Sequence, residues 1–223
     1  GVQTCALPIY LLSQACFAHF QSANAATTSY PFLTMGAANL IESFGTEEQK
    51  KQLLTPMTRG EVRWCQGFSE PNAGSDLASL KTSARDAGYH FVVDGSKIWT
   101  SYGDKSDWMY ALVRTDPAAG KHAGISLIVL DMKSPGVSVA PIDLISGKSA
   151  FCQVFFDNVK VPKDMLVGEL NGGWALMTNQ LNHERVALTS SAASVESLTQ
   201  TIEWARATKL RDGRRVIDQL PLT

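Results

Sequence analysis

The chain has 223 residues, of which 20 are Lys or Arg and 21 are Asp or Glu, giving a formal net charge of -1. This balance argues against a general nucleic-acid or anionic-membrane binder, and no apolar run is long enough to span a bilayer. The four Cys form no C-x-x-C pair, so neither a zinc site nor a disulfide framework is indicated, and we expect a reducing, cytoplasmic bacterial setting.

The first residues differ in character from the rest of the chain. Positions 2 to 9 read VQTCALPI, which is what a common sequencing adaptor encodes in one frame. We therefore expect residues 1–9 to be a non-native scar and exclude them from the fold.

Residues 10–60 are predicted to be helical. Thr46 and Gln49 have the spacing of a capping box, which predicts a helix that starts after Thr46 and ends near Arg59 and Gly60.

Residues 61–168 change to short alternating runs separated by Gly, Pro and Asp, which predicts a small β barrel or sandwich. The run from Gln66 to Asp76 reads QGFSEPNAGSD. Its first part predicts a strand that enters a loop at Pro71, because Pro disfavours helical backbone before it.

This loop is a candidate anion site. Asn72 and Gly74 tolerate positive φ, so the N–H groups of residues 73–75 could point toward one centre, and Asp76 could cap the next turn. An ordinary surface turn fits the same composition.

A second candidate segment follows. Asp94-Gly95 predicts a two-residue hairpin, which would place Trp99 and Ser101 on one face of the second strand. An aromatic wall with a nearby hydroxyl suits a flat heteroaromatic ring with an acceptor nitrogen. A core Trp in a small barrel fits equally well.

Residues 169–223 return to helical spacing, with Trp174, Met177 and Leu181 on one face and an Ala-rich stretch toward Ala207. The sequence lacks G-x-G-x-x-G, G-x-x-x-x-G-K-S/T and G-x-S-x-G, which disfavours nicotinamide, P-loop and serine-hydrolase chemistry.

Residues Ser69 to Asp76 match the signature Ser/Thr-Glu-x-x-x-Gly-Ser-Asp, and through it the chain resembles the acyl-CoA dehydrogenase family. The resemblance covers about residues 33–207. It implies an α+β multidomain fold: part of an N-terminal helical domain (10–60), a central antiparallel β-barrel-like domain (61–168) and the start of a truncated C-terminal helical bundle (169–223). The sequence thus looks like a fragment.

The reaction implied by the resemblance is FAD-dependent α,β-dehydrogenation of an acyl-CoA thioester, as in fatty-acid β-oxidation. A Glu removes the α proton, and the β hydrogen leaves as hydride to flavin N5. The resemblance also implies electron-transfer flavoprotein as the acceptor and a homo- or hetero-oligomer, dimeric or tetrameric.

The resemblance also assigns candidate roles to individual residues. Those implied to contact the cofactor are Gln66, Phe68, Ser69, Gly74, Ser75, Trp99 and Ser101. Those implied to contact acyl-CoA are Ser75, Asn182 and Arg185. A solvated helical Arg is an alternative for Arg185.

Glu184 is the candidate base, because in the isovaleryl and long-chain branches the base is a Glu directly before an Arg on this helix. A paired surface carboxylate is the alternative for Glu184, and in most other branches the base lies on a later helix. The family's Arg-x-x-Phe-Gly is replaced here by residues 207–213, ATKLRDG, so the flavin contact across subunits is in doubt. An acyl-CoA oxidase, a flavin monooxygenase relative and a catalytically silent subunit remain open.

Overall fold

The computed structural model describes residues 3–147, 149–188 and 191–219. Residues 1 and 2 of the suspected 1–9 scar therefore lie outside the described residues. Contacts divide the chain into two compact units, one of residues 31–184 and one of residues 1–30 with 185–223. The predicted domain boundaries at 60/61 and 168/169 stay predictions.

The helices and strands follow the predicted order of helices, β structure and helices, and the fold class is confirmed. The helices are α1 Gln3–Ser29, α2 Phe32–Phe44, α3 Glu47–Thr58, α4 Gly173–Leu188 and α5 Ala192–Ala207. The strands are β1 Trp64–Gly67, β2 Ser83–Asp86, β3 His90–Ser101, β4 Trp108–Arg114, β5 Ile125–Asp131, β6 Val137–Pro141, β7 Phe151–Pro162 and β8 Leu166–Val167.

The strands form one sheet in the order β6-β7-β3-β2-β4-β5-β8, with β1 paired to β4. Most pairs are antiparallel, but β1 runs parallel to β4, so the sheet is mixed rather than purely antiparallel. Strands β4 and β5 are almost wholly buried and form the centre of the apolar core. Burial on both faces explains why these two strands read as continuous apolar runs.

Helix α3 begins as predicted. The Thr46 hydroxyl accepts a hydrogen bond from the Gln49 backbone N–H, and the Gln49 side-chain oxygen accepts one from the Thr46 N–H. The buried Gln49 amide also donates to the carbonyls of Asp164 and Leu166, at 2.6 and 2.8 Å. Gln49 therefore both caps α3 and attaches it to the chain that leads into β8.

The predicted hairpin at Asp94-Gly95 is wrong. Strand β3 continues through both residues, and its pairing with β7 shifts register between Val93 and Gly95. Gly95 has φ +142°, and a Cβ there would lie 2.7 Å from the Thr82 Cα. Glycine is therefore required for a bulge that lets two strands approach closely, and not for a chain reversal.

The other compact unit contains α1 and α5, which contact each other. Asn24 has extended backbone (φ -161°, ψ 92°), which interrupts α1. After α5 the chain makes a short 3-10 turn at Val216–Gln219.

Candidate functional site

The loop after β1 is a tight turn closed by its own backbone. Glu70 and Ala73 exchange two hydrogen bonds, each 3.0 Å long. Neither Asn72 nor Gly74 has a positive φ, and the Ala73 N–H is used inside the turn. The predicted backbone anion site is therefore wrong in its geometry, although Gly74 and Ser75 are exposed on the loop.

The prediction that Asp76 caps the turn that follows is wrong. Its side chain makes no capping hydrogen bond and instead accepts one from Lys121 Nζ at 2.8 Å. The Arg114 guanidinium donates to the carbonyls of Ala78 and Ala123, at 2.7 and 2.9 Å. These contacts attach the end of the loop to the chain between β4 and β5.

Trp99 has unusual geometry within β3. Its φ is +60°, it lies in a second register shift against β7, and 55% of its surface is exposed. Its ring meets Phe151 edge-on, with centroids 6.2 Å apart. Ser101, two residues later, is half-buried, and the buried Thr100 separates the two. A large aromatic side chain on left-handed backbone is uncommon and is a feature of functional sites.

The structure brings the β1 segment and the Trp99 segment together. The Ile98 N–H donates to the Ser69 carbonyl at 2.9 Å, and Lys97 Nζ donates to the Phe68 carbonyl at 3.1 Å. These two hydrogen bonds hold the strand at Ile98 and the loop at Ser69 side by side.

Several buried polar atoms near these segments lack partners. Among the described residues, Trp64 Nε1, Gln66 Nε2 and Thr100 Oγ1 have no hydrogen-bond partner. Gln66 and Tyr110 are register partners on β1 and β4, and the Phe68 ring meets the Tyr110 ring edge-on at 5.6 Å. Buried polar groups are nearly always satisfied in folded proteins, so a polar partner is expected here.

Lys97 and Glu70 form a buried ion pair that the sequence analysis missed. Lys97 Nζ lies 2.8 Å from Glu70 Oε1, and its side chain is fully buried. Burial lowers the pKa of Lys97 to about 8, against the opposing effect of Glu70. Burial alone would raise the pKa of Glu70, but Lys97 and the donors from Lys81 and Thr82 together lower it.

Helix α4 starts in direct contact with β5. A Cβ on Gly173 would lie 2.6 Å from the Leu127 backbone nitrogen, so only glycine allows this approach. The Asn171 N–H donates to Ser126 Oγ at 2.8 Å, and the Asn171 side-chain oxygen accepts from Thr115 Oγ1 at 2.6 Å. These contacts fix where the helix that carries Glu184 begins.

The α4 candidates differ in burial. Glu184 is half-buried, and its negative charge is one cause, after burial, of the pKa of Tyr110 lying well above its usual value. Glu184 is therefore close enough to the β1–β4 surface to act on a residue paired with Gln66. Asn182 is exposed. Arg185 is exposed and belongs to the other compact unit.

In the part of the chain that the structure describes, no helix is long and apolar enough to cross a membrane. No group of three or more His, Cys, Asp and Glu side chains in the same residues is arranged to hold a metal ion.

Comparisons with known proteins agree with the resemblance. A family model described as the acyl-CoA dehydrogenase N-terminal domain matches residues 10–61, and one described as the middle domain matches residues 65–159. The acyl-CoA dehydrogenase FadE34 of Mycobacterium tuberculosis is 46% identical over 175 residues, covering 78% of this chain and 25% of that protein. FadE26 of the same organism is 42% identical over 192 residues, covering 84% and 48%.

Solved structures show the same likeness. The ChsE4-ChsE5 complex from Mycobacterium tuberculosis matches with a TM-score of 0.78 and 41% identity, covering 87% of this chain and 51% of that one. A glutaryl-coenzyme A dehydrogenase in complex with glutaryl-CoA matches with a TM-score of 0.79 and 29% identity, covering 91% and 51%. The chain spans about half, or less, of the length of the relatives it matches. It belongs to the acyl-CoA dehydrogenase family.

Proposed function

We propose that the chain carries the flavin-facing surface of an FAD-dependent acyl-CoA dehydrogenase. The observation that supports this most strongly is the link between the Ser69 loop and the Trp99 strand through the Ile98–Ser69 hydrogen bond. This link sets an exposed aromatic ring beside a loop that carries hydroxyl groups.

The residues present fit a flavin. The partly exposed Trp99 ring offers an apolar face, and Gln66 Nε2 is a buried donor without a partner among the described residues. A flavin is flat, aromatic and rich in acceptor atoms, so it suits both groups. In this proposal Gln66, Phe68, Ser69, Gly74, Ser75, Trp99 and Ser101 hold the flavin, and Ser75, Asn182 and Arg185 hold acyl-CoA. When bound, FAD supplies the hydride acceptor at N5.

Glu184 is the proposed base. It lies on α4, is half-buried and acts electrostatically on Tyr110, which pairs in register with Gln66 on β1. A carboxylate at this surface would remove the α proton of the thioester, and hydrogen bonds to the thioester oxygen would stabilise the developing enolate. The alternative places the base on another helix and leaves Glu184 as a structural carboxylate.

The substrate class is a further proposal. Two solved relatives that are 41% identical to the chain are described as the Tcur3481-Tcur3483 steroid ACAD and its G363A variant. Steroid-derived acyl-CoA esters are therefore the first substrates to test, followed by glutaryl-CoA and straight-chain esters. Electron-transfer flavoprotein is the proposed acceptor, and one solved relative, at 28% identity, is described as the electron transferring flavoprotein of Acidaminococcus fermentans.

An oxidase is the second candidate. A prolyl acyl carrier protein oxidase, AnaB, matches with a TM-score of 0.76 and 26% identity, covering 84% of this chain and 51% of that one. A dehydrogenase would turn over with an artificial electron acceptor and no oxygen, whereas an oxidase would consume oxygen and release peroxide.

The test uses the protein expressed from its complete open reading frame and reconstituted with FAD. We expect a yellow protein whose flavin absorbance is bleached anaerobically by an acyl-CoA. Glu184→Gln should keep FAD but lose bleaching by at least about a hundredfold, as expected when a general base is removed. A protein that stays colourless with FAD contradicts the flavoenzyme proposal, and unchanged kinetics in Glu184→Gln moves the base to another residue.

A further inference from the structure

The buried lysine of β3 serves no purpose in the proposed chemistry. Lys97 is fully buried, and its ammonium group donates to Glu70 Oε1 at 2.8 Å and to the Phe68 carbonyl at 3.1 Å. A buried charge is costly unless it is paired and hydrogen-bonded, and Lys97 has both kinds of partner. A desolvated ion pair therefore lies beneath the loop.

Glu70 is the common acceptor of this arrangement. Its two carboxylate oxygens accept hydrogen bonds from the backbone N–H groups of Lys81 at 2.6 Å and Thr82 at 2.9 Å, besides the ammonium group of Lys97. Its own backbone closes the tight turn with Ala73. One buried carboxylate thus fixes the start of the loop, the chain beyond its end and strand β3.

The pair connects the two segments that would face the flavin. Lys97 lies two residues before Trp99 and binds the carbonyl of Phe68, directly before Ser69. Trp99 has left-handed backbone, which a non-glycine residue keeps only when its surroundings hold it there. Lys97 supplies part of that restraint, together with the Ile98–Ser69 hydrogen bond.

A gain in the stability of the fold is a weak explanation for a buried ion pair. Well-packed apolar residues of similar volume often stabilise a protein as much as a buried ion pair or more. An ion pair differs from them in direction, because its hydrogen bonds fix distances between particular atoms.

We propose that Lys97 and Glu70 are positioning residues that hold Phe68, Ser69 and Trp99 at the spacing the flavin ring requires. This inference rests on the proposed function. It assigns neither residue a contact with the substrate or with the reacting atoms.

The test compares the wild type with the double variant Lys97→Met/Glu70→Gln, which removes both charges and leaves no unpaired buried ion. The readouts are the Kd for FAD from flavin fluorescence, the visible spectrum of the bound flavin and the thermal unfolding of the apoprotein. We expect the double variant to fold and to bind FAD about ten- to a hundredfold more weakly, as when an outer-shell partner of a bound group is lost. The spectrum of the flavin that still binds should shift.

A second variant keeps the test decisive if the double variant does not fold. Glu70→Asp retains both charges but shortens the carboxylate, so it should fold, weaken FAD binding and change the flavin spectrum in the same direction. The matched control is Lys133→Met, which removes an exposed ion pair with Asp107 and should leave FAD binding and spectrum unchanged.

The possible outcomes distinguish a failure of the positioning role from a failure of the proposed flavin site. If Glu70→Asp, or a folded double variant, binds FAD with wild-type affinity and spectrum, the positioning role is wrong while the flavin site stands. If the wild type itself binds no FAD, the proposed function fails, and the positioning role fails with it.

Discussion

Trp99 has a large side chain, although its backbone conformation is one that favours glycine. More than half of the surface of Trp99 is exposed, so its side chain packs little against the apolar core. Its φ is +60° and 55% of its surface is exposed. Trp99→Gly relieves about 1 kcal/mol of strain but loses the contact with Phe151 and gives the unfolded chain more freedom, so it should change the free energy of unfolding by no more than about 1 kcal/mol in either direction. The same change should weaken FAD binding by at least about fivefold, since an aromatic contact contributes roughly 1 kcal/mol beyond its buried area.

Chemical denaturation of the apoprotein and FAD titration check this prediction together. Tyr89→Ala is the control, because Tyr89 is 95% exposed and lies on the turn between β2 and β3, away from the candidate flavin residues. It should alter neither quantity. Unchanged FAD affinity in Trp99→Gly would remove Trp99 from the flavin site.

Some of the candidate site residues could be identified from the sequence, and others could not. Gln66, Ser69 and Trp99 were proposed through the family resemblance, and the structure places the Ser69 loop beside the strand that carries Trp99. Lys97 could not be identified in this way, because its partner Glu70 lies 27 residues away and a lysine in a strand normally points to solvent. Only the folded chain shows that this lysine points inward.

At the scale of elements, α3 depends on one glutamine for two functions. Gln49 completes the capping box with Thr46, and its buried amide donates to the carbonyls of Asp164 and Leu166. Gln49→Met fills similar volume but leaves these carbonyls without that donor. We expect a loss of about 2–3 kcal/mol in the free energy of unfolding, the typical cost of unsatisfied buried polar groups.

Urea denaturation monitored by circular dichroism measures this effect. The matched control is Lys51→Met on the same helix, which is exposed and should change stability by no more than about 0.5 kcal/mol. A similar, small effect for both variants would mean that Gln49 does not attach α3 to the β8 region.

Helix ends and strands could be predicted from the sequence where the residues that determine them are close together in the chain. The cap of α3 joins two residues only three positions apart, so the sequence predicted it directly. The bulge in β3, by contrast, has the same Asp-Gly sequence as a hairpin turn. What separates the two is the partner strand: β7 pairs with β3 on both sides of Gly95, so the chain cannot reverse there. The parallel pairing of β1 with β4 is likewise set by distant residues and has no local signature.

Across the whole molecule, the two compact units divide the candidate residues unequally. Residues 31–184 contain every candidate flavin residue and Glu184, whereas Arg185 belongs to the other unit. The unit of residues 31–184 is therefore expected to determine FAD affinity. The contribution to acyl-CoA binding that is proposed for Arg185 can be measured separately, by titrating the two ligands independently.

The stability of the whole chain should depend on pH through Lys97. Burial lowers the pKa of Lys97 to about 8, below the usual value of 10.5. Between these values the unfolded chain holds one more proton at this site than the folded chain, so Lys97 makes the free energy of unfolding rise with pH. Burial raises the pKa of Cys65 to about 12, which acts in the opposite sense, because the folded chain then keeps a proton that the unfolded chain loses above about pH 9.

Comparing the wild type with Lys97→Met/Glu70→Gln isolates the lysine, because both chains contain Cys65 and because Glu70 of the wild type stays ionised above pH 7 in the folded and the unfolded chain. The free energy of unfolding of the wild type minus that of the double variant should be constant below about pH 8 and should grow toward pH 10. Urea denaturation of the two apoproteins at pH 7, 8, 9 and 10 measures this difference. A difference that stays flat over the range would mean that Lys97 keeps an ordinary pKa in the folded chain, and a difference that shrinks would mean that Glu70 raises the pKa of Lys97 above that of the unfolded chain.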